Sequence, residues 1–320
     1  MLDLIRLSPR LVFPPGGVDL YRQIALLTDM AEEDEALVVA CGKGVSLEYF
    51  VREYGVHGSG VEPDGRLVEV AESRTREEGL AARIQFQTGR ADSLPYRDDI
   101  FDVAVGELGM AAQADPGEAV RELARVTRPG GMVVLVQLAW RTPVDARRAR
   151  VLSEHLGARP LMLVEWKRYL KEAGVEEVHA EDWSDEDASF RARVVKPFPD
   201  FAEIFSLSEK VGVLRRAWGR WGWEGLRTVL VREREVHRLL THERILGLVL
   251  LKGRKKEVPA VDEVGALAEP AASDAPGDEA VPTADSGAAR AGRKPRKGEE
   301  QAEGGDAGTA GLPLFGTERE

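Results

Sequence analysis

Two glycines separated by a single residue follow a short apolar run, in the stretch VVACGKGVSLEYF at residues 38–50. Gly42 and Gly44 fit a turn between a strand and a helix, because glycine tolerates the turn dihedrals and lets a ligand approach the backbone. The next apolar run ends in GVEPD, which places Glu62 where a carboxylate can accept hydrogen bonds from both hydroxyls of a ribose. Leu47 occupies the position of the third glycine in the dinucleotide pattern GxGxxG. The residues therefore predict an adenosine-type ligand and disfavour NAD.

Metal and disulfide chemistry find little support in the side chains. The chain has one cysteine, Cys41, which excludes an intrachain disulfide framework and a CxxC metal site. We interpret this cysteine as a small packed residue rather than a reactive thiol. The five histidines show neither HxH nor HExxH spacing. We therefore predict no metal site.

Short apolar runs alternate with longer helix-patterned segments between residues 36 and 252. This alternation predicts an α/β fold with a seven-stranded, mostly parallel sheet and helices on both faces. Strands are predicted near residues 36–40, 57–61, 84–87, 101–105, 132–138, 176–180 and 245–251. Ligands of such sheets bind beyond the carboxyl ends of the strands, which is where the glycine turn and Glu62 fall.

The alternation fails between residues 184 and 243, where a polar stretch leads into a Trp-rich helical region. A connection of about sixty residues is longer than those of ordinary α/β units, so we predict a helical insert before the last strand that caps the substrate side. Trp218, Trp221 and Trp223 are interpreted as the small core of this insert, with an aromatic substrate pocket as the alternative.

The C-terminal part of the sequence differs in composition. Residues 257–320 hold 14 acids, 6 bases and one aromatic residue, Phe315. Such a segment cannot bury enough apolar surface to offset the entropy of ordering, so we predict a disordered tail after a folded domain of residues 1–256. The net charge of −11 leaves −3 on that domain once the −8 of the tail is removed, which argues against a nucleic-acid partner. With neither a signal peptide nor an 18-residue apolar run, we expect a cytoplasmic protein without a membrane partner.

Four motifs occur in the order and at the spacing of the class I S-adenosylmethionine-dependent methyltransferases: ACGKG, GVEPD, GRADSLPYRDDIFDVAVGE and ELARVTRPGGMVVLV. The resemblance runs from about Pro14 to Leu138, and RILGLVLLKG is similar to the closing strand of the family. It implies S-adenosylmethionine as cofactor and methyl transfer as reaction. This sequence departs from the family pattern at Val38, which replaces an acid, at Ala40, which replaces a glycine, and at Arg90, which replaces the acid that reads the adenine.

The resemblance also implies roles for individual residues. The backbone of Ala40, Cys41, Gly42 and Gly44 faces the amino-acid part of the cofactor, Glu62 holds the ribose hydroxyls, and Pro63 lies beside the adenine. Ala91 and Asp92 bracket the adenine, whereas Gly106, Glu107 and Leu108 border the methionine and the substrate. Tyr21 closes over the sulfonium together with the turn at residues 15–17. Methyl transfer leaves no fixed catalytic signature, since positioning supplies much of the acceleration; the candidates at the mouth are Tyr21, Glu107, Gln137 and Trp140.

We expect the methyl acceptor to be a small or medium-sized molecule, because the folded part lacks the basic surface of nucleic-acid methyltransferases. Two alternatives stay open. One is a degenerate methyltransferase fold that acts as a non-catalytic binding or scaffolding protein, which Val38, Ala40 and Arg90 favour; the other is a nucleotide-dependent oxidoreductase. The apolar residues Leu312 to Phe315 resemble the peptide with which bacterial proteins dock on the sliding clamp, so weak docking on a protein partner is a further hypothesis.

Overall fold

A computed structural model of the chain describes residue 7 and residues 11–112, 114–184, 206–239 and 243–257. The strands in these ranges are β1 Glu35–Val39, β2 His57–Glu62, β3 Ile84–Thr88, β4 Phe101–Gly106, β5 Thr127–Trp140, β6 Leu161–Met162, β7 Val175–Asp182 and β8 Leu246–Lys255. The helices are α1 Gly17–Leu27, α2 Val45–Tyr54, α3 Gly65–Glu77, α4 Pro116–Val126, α5 Ala146–Leu156, α6 Leu163–Glu172 and α7 Leu207–His237.

The strands form one sheet in the order β3-β2-β1-β4-β5-β8-β7, with the short β6 paired to the end of β5. Strand β8 runs antiparallel to both of its neighbours, and the other pairs are parallel. This confirms the predicted α/β fold with a mostly parallel sheet, and each of the seven predicted strands has its counterpart. The two-residue β6 was not predicted, because a segment of that length has no readable alternation.

Apolar side chains of the central strands point to both faces of the sheet, and each face carries its own buried cluster. In β1, Val38 belongs to a cluster with Ile24 and Phe50, whereas Leu37 belongs to the opposite cluster with Leu123. Helices must therefore cover both faces, which explains why the strands read as continuous apolar runs rather than as alternating ones.

Strand order reverses at β1, whose neighbours are β2 on one side and β4 on the other. Val39 is in register with Val61 of β2 and with Gly106 of β4, so the three strands end at the same level. The loops that follow them must diverge from this edge to reach helices on either face. They leave between them the crevice in which ligands of open α/β sheets bind.

The predicted insert at residues 184–243 lies partly outside the described residues. Its described part is α7, whose helical course is interrupted at Gly222, with φ 67° and ψ −174°. The prediction that the three tryptophans form a core is wrong for two of them. Trp218 and Trp223 are 59% and 64% exposed and pack against each other with ring centroids 6.1 Å apart. Only Trp221 packs, half-buried, against a small cluster of α7 residues that Leu7 also contacts.

Helix α7 contacts α5, and its Arg216 donates a hydrogen bond to the Leu7 carbonyl at 2.7 Å. Arg148 of α5 forms an ion pair with Glu235 of α7 at 3.1 Å, and the buried His155 lies 3.4 Å from Glu233. No helix in the described ranges is long and apolar enough to cross a bilayer. The predicted tail lies outside the described residues, apart from Glu257.

Candidate active site

A cavity of about 480 Å³ opens where β1, β2 and β4 end. Its walls come from five places in the sequence: the segment before α1, the segments that follow β1, β2 and β4, and the end of α5. The lining residues are Val12, Phe13, Pro14, Pro15, Ala40, Cys41, Gly42, Lys43, Val45, Glu62, Pro63, Asp64, Gly65, Leu67, Glu107, Leu108, Gly109, Ala112 and Gly157. The volume lies within the range of pockets that enclose a drug-sized ligand.

The loop after β1 turns through three residues of left-handed backbone: Ala40 at φ 62°, Gly42 at φ 57° and Gly44 at φ 75°. The two glycines have different reasons to lack a side chain. A Cβ on Gly44 would come within 2.5 Å of the Phe86 ring, so this glycine is required for packing. A Cβ on Gly42 would meet no protein atom within 4 Å. Since Gly42 lines the cavity, its bare backbone is open to a ligand.

Glu62 ties the first two loops together. Its carboxylate accepts a hydrogen bond from the Gly42 N–H at 3.0 Å and another from the Asp64 N–H at 3.2 Å. The residue is only 2% exposed, yet it belongs to the cavity wall. Both backbone contacts hold the carboxylate in one place, which is the arrangement needed to receive a second pair of donors from a ligand.

Glu107 follows β4 and is a second buried acid of the site, with 5% exposure. Its Oε1 accepts the Tyr21 hydroxyl at 2.9 Å and also the Ser46 hydroxyl. Burial raises the pKa of Glu107 to about 7, although the two hydroxyls act in the opposite direction by stabilising the carboxylate. The Gln137 amide donates to the carbonyl oxygens of Gly106 and Glu107 at 3.0 and 2.9 Å, and so fixes the start of this loop.

The residues that the sequence predicts for the cofactor fall into three groups in the structure. Seven of them line the cavity: Ala40, Cys41, Gly42, Glu62, Pro63, Glu107 and Leu108. Ala91 lines a smaller adjoining pocket, together with Arg90 and with Ala40 and Pro63 from the wall of the main cavity. Tyr21, Gly44, Gly106 and Asp92 line neither space.

These four residues have other contacts, and that of Gly106 is the hydrogen bond that its carbonyl accepts from Gln137. Tyr21 is fully buried and reaches Glu107 from below the wall, and Gly44 packs on Phe86. Asp92 accepts both Nε and Nη2 of Arg90, at 2.8 and 2.6 Å. The arginine that replaces the family's acid is therefore neutralised by the neighbouring aspartate.

Sequence reasoning missed several wall residues. Lys43 stands between the two glycines of the GKG stretch and could have been found there, because a residue inside such a loop also faces the ligand side. Phe13 and Gly157 had no such signal, since they reach the cavity only through the packing of α1 and α5. The described ranges contain no group of three or more His, Cys, Asp or Glu residues that could hold a metal ion.

Known proteins resemble the chain in the region that builds this cavity. Residues 37–135 match the family model described as a methyltransferase domain. The methyltransferase GfsG of Streptomyces halstedii is 28% identical over 215 residues, which cover 64% of this chain and 74% of that protein. The crystal structure of the cyclase SpnF is similar with a TM-score of 0.59 and 25% identity, over 75% of this chain and 81% of that one.

A further solved structure is phosphoethanolamine N-methyltransferase 2 of Haemonchus contortus in complex with S-adenosyl-L-methionine. It is similar with a TM-score of 0.60 and 15% identity, over 80% of this chain and 57% of that one. At this identity the likeness concerns the fold.

Proposed function

We propose that the chain, as a class I S-adenosylmethionine-dependent methyltransferase, transfers the methyl group of this cofactor to a small or medium-sized molecule held in the same cavity. When bound, S-adenosylmethionine supplies a methyl group on a positively charged sulfur. The protein then has to hold the cofactor, bring the acceptor into line and exclude water.

The residues of the cavity suit such a cofactor. Gly42 offers a bare backbone, Glu62 offers a fixed carboxylate of the kind that receives ribose hydroxyls, and Pro63 adds an apolar surface beside it. Glu107 adds a second carboxyl group in a wall that would face a cation. Ala40 keeps the left-handed backbone of the glycine that it replaces, so the loop can turn in spite of the substitution.

The acceptor class is proposed from the remaining wall. Phe13, Pro14 and Pro15 precede α1, and Leu67 and Leu108 follow β2 and β4. Their apolar side chains favour an acceptor with a substantial hydrophobic part. A cavity lined in this way suits a small molecule better than a nucleic acid, which is bound mainly through cationic contacts to phosphate.

The single observation that carries the proposal is that Gly42, Glu62 and Glu107 meet in one cavity at the point where strand order reverses. The test has two stages. Calorimetry with S-adenosylhomocysteine should first give a dissociation constant in the micromolar range or tighter. Absence of S-adenosylhomocysteine binding at millimolar concentration would refute the proposal.

The second stage uses S-adenosylmethionine labelled in its methyl group, incubated with the protein and separately with small-molecule extract, RNA, DNA and protein. We expect label in the small-molecule fraction and a loss of labelling in Glu62→Ala. Label in a macromolecule would contradict the acceptor class. Tight S-adenosylhomocysteine binding without any transfer would favour the non-catalytic binding protein instead.

A further inference from the structure

The position usually taken by an acid at the end of β1 is occupied by Val38, whose side chain is buried in the core. A different acid lies at the same edge of the sheet, one strand away. Glu107 comes directly after Gly106, the residue in register with Val39, and its N–H donates to the Val39 carbonyl at 3.0 Å. The cavity therefore retains a buried carboxyl group near the end of β1, although β1 does not supply it.

Among the acids of the cavity wall, Glu107 differs in how its oxygens are used. Both carboxylate oxygens of Glu62 accept hydrogen bonds from backbone N–H groups, and Asp64 binds Arg66 and caps α3. Glu107 receives its two hydroxyl donors on Oε1 alone. Its Oε2 accepts nothing from the described residues and is not sealed off from solvent. This oxygen can meet a ligand that enters the cavity.

Within the described ranges no cation forms an ion pair with Glu107, although Lys43 lines the same cavity. Tyr21 of α1 and Ser46 of α2 donate hydrogen bonds, Cys41 lies in the loop after β1, and Glu62 follows β2. Burial raises the pKa of Tyr21 and of the Cys41 thiol well above their usual values, so both are neutral near pH 7. The charge of Glu62 adds to the effect of burial and raises the pKa of Glu107 further. Glu107 is therefore poised to lose a proton when a positive charge approaches.

We propose that Glu107 is the counter-ion of the bound cofactor: it holds a proton in the cofactor-free protein and releases it to solvent when the positively charged cofactor binds. The inference rests on the proposed function only for the identity of the cofactor. S-adenosylmethionine carries a sulfonium and an ammonium group, S-adenosylhomocysteine carries the ammonium group alone, and 5′-methylthioadenosine carries neither.

The expected proton release follows from the pKa of about 7. A carboxyl group with this pKa is about half protonated at pH 7, about nine-tenths at pH 6 and only a few per cent at pH 8.5. Binding of S-adenosylmethionine should thus release about half a proton at pH 7, close to one at pH 6 and almost none at pH 8.5. The affinity for S-adenosylmethionine should accordingly rise as pH increases through 7 and level off above 8.

The experiment is calorimetry of the full chain with the three ligands, in pairs of buffers that differ in ionisation enthalpy. Glu107→Gln should abolish the release and weaken S-adenosylmethionine binding at pH 8 by about 10- to 100-fold, the loss expected for a contact with a charged group. The matched control is Glu122→Gln, since Glu122 binds Arg125 and the Leu94 N–H outside the cavity and should change neither quantity. 5′-Methylthioadenosine should release no proton in any variant.

The S-adenosylhomocysteine measurement locates the charge that Glu107 meets. If both cofactor forms release the same number of protons, the group that Glu107 contacts is the ammonium. If only S-adenosylmethionine releases a proton, that group is the sulfonium. Tyr21→Phe removes a donor that stabilises the carboxylate, so it should move the midpoint of proton release to higher pH. This shift can be measured even if Glu107→Gln fails to fold.

Two results would overturn the inference. One is proton release at pH 7 that is the same in wild type and Glu107→Gln, and the other is S-adenosylmethionine binding without any release. In the second case the proposed function would stand, because the cofactor still binds. No binding of either cofactor form would instead overturn the function and the counter-ion together.

Discussion

Replacing Glu62 by alanine should damage both the loop architecture and the cofactor site, and the two effects can be separated. In the folded chain the carboxylate holds the N–H groups of Gly42 and Asp64 at 3.0 and 3.2 Å. Each contact with a charged acceptor is worth about 1.5–3 kcal/mol, but both N–H groups lie at a cavity wall where water can replace the acceptor. We therefore expect a loss of about 2–3 kcal/mol in unfolding free energy, which corresponds to a fall in Tm of roughly 4–12 °C.

The effect on the cofactor is larger than this loss of stability would suggest. If the carboxylate receives the ribose hydroxyls, Glu62→Ala removes a charge-assisted contact worth about 1.5–3 kcal/mol, which weakens binding by about 12- to 160-fold. Thermal melts give the first quantity and calorimetry with S-adenosylhomocysteine at a temperature well below Tm gives the second.

Glu122→Ala is the matched control for this experiment. Glu122 also accepts a backbone N–H, that of Leu94 at 2.7 Å, and it pairs with Arg125 at 2.6 Å, but it does not line the cavity. It should lower Tm and leave the affinity unchanged. If Glu62→Ala behaves in the same way, the ribose lies elsewhere and Glu62 only braces the loops.

Three further changes test other parts of the site. Ala40→Gly should raise Tm by about 1–4 °C, because relief of about 1–2 kcal/mol of left-handed strain at φ 62° exceeds the entropic cost of glycine; an unchanged or lower Tm would contradict this account. Gly42→Ala places a methyl group in the cavity and should weaken S-adenosylhomocysteine binding by about tenfold or more, with only about 1–2 kcal/mol of destabilisation; full affinity would mean that the ligand does not approach this backbone. Removing residues 258–320 should leave S-adenosylhomocysteine affinity unchanged in calorimetry, because the wall residues fall between positions 12 and 157; a weaker affinity would assign the tail a part in binding.

The sequence allowed the sheet and the position of the site to be predicted, because both depend on local patterns. Buried strands are continuous apolar runs, and turns after β1 and β2 carry their own glycine and acidic signals. Parallel strands also bring their carboxyl ends together without further information. These patterns predict that Gly42 and Glu62 lie near one another, and the resemblance to the methyltransferases adds Glu107 to the same edge of the sheet.

The remaining features depend on contacts between distant segments. The hydrogen bond from Tyr21 to Glu107 joins residues 86 positions apart. Tyr21 was predicted to lie in the wall of the site, but it is fully buried behind the wall and holds Glu107 in place. The exposure of Trp218 and Trp223 was also unpredictable, because a tryptophan-rich helix normally buries its rings.

The place of β8 between β5 and β7 has a consequence for the order in which a nascent chain can fold. Strands β1 to β5 occupy residues 35–140 and can pair with one another as soon as they leave the ribosome. Among the described strands β7 pairs only with β8 at residues 246–255, so it stays unpaired until β8 has been made, and β5 keeps an open edge for the same period. A chain that stalls or is cleaved before residue 246 thus presents two unpaired strand edges, which makes it a substrate for chaperones or for aggregation rather than a smaller working enzyme.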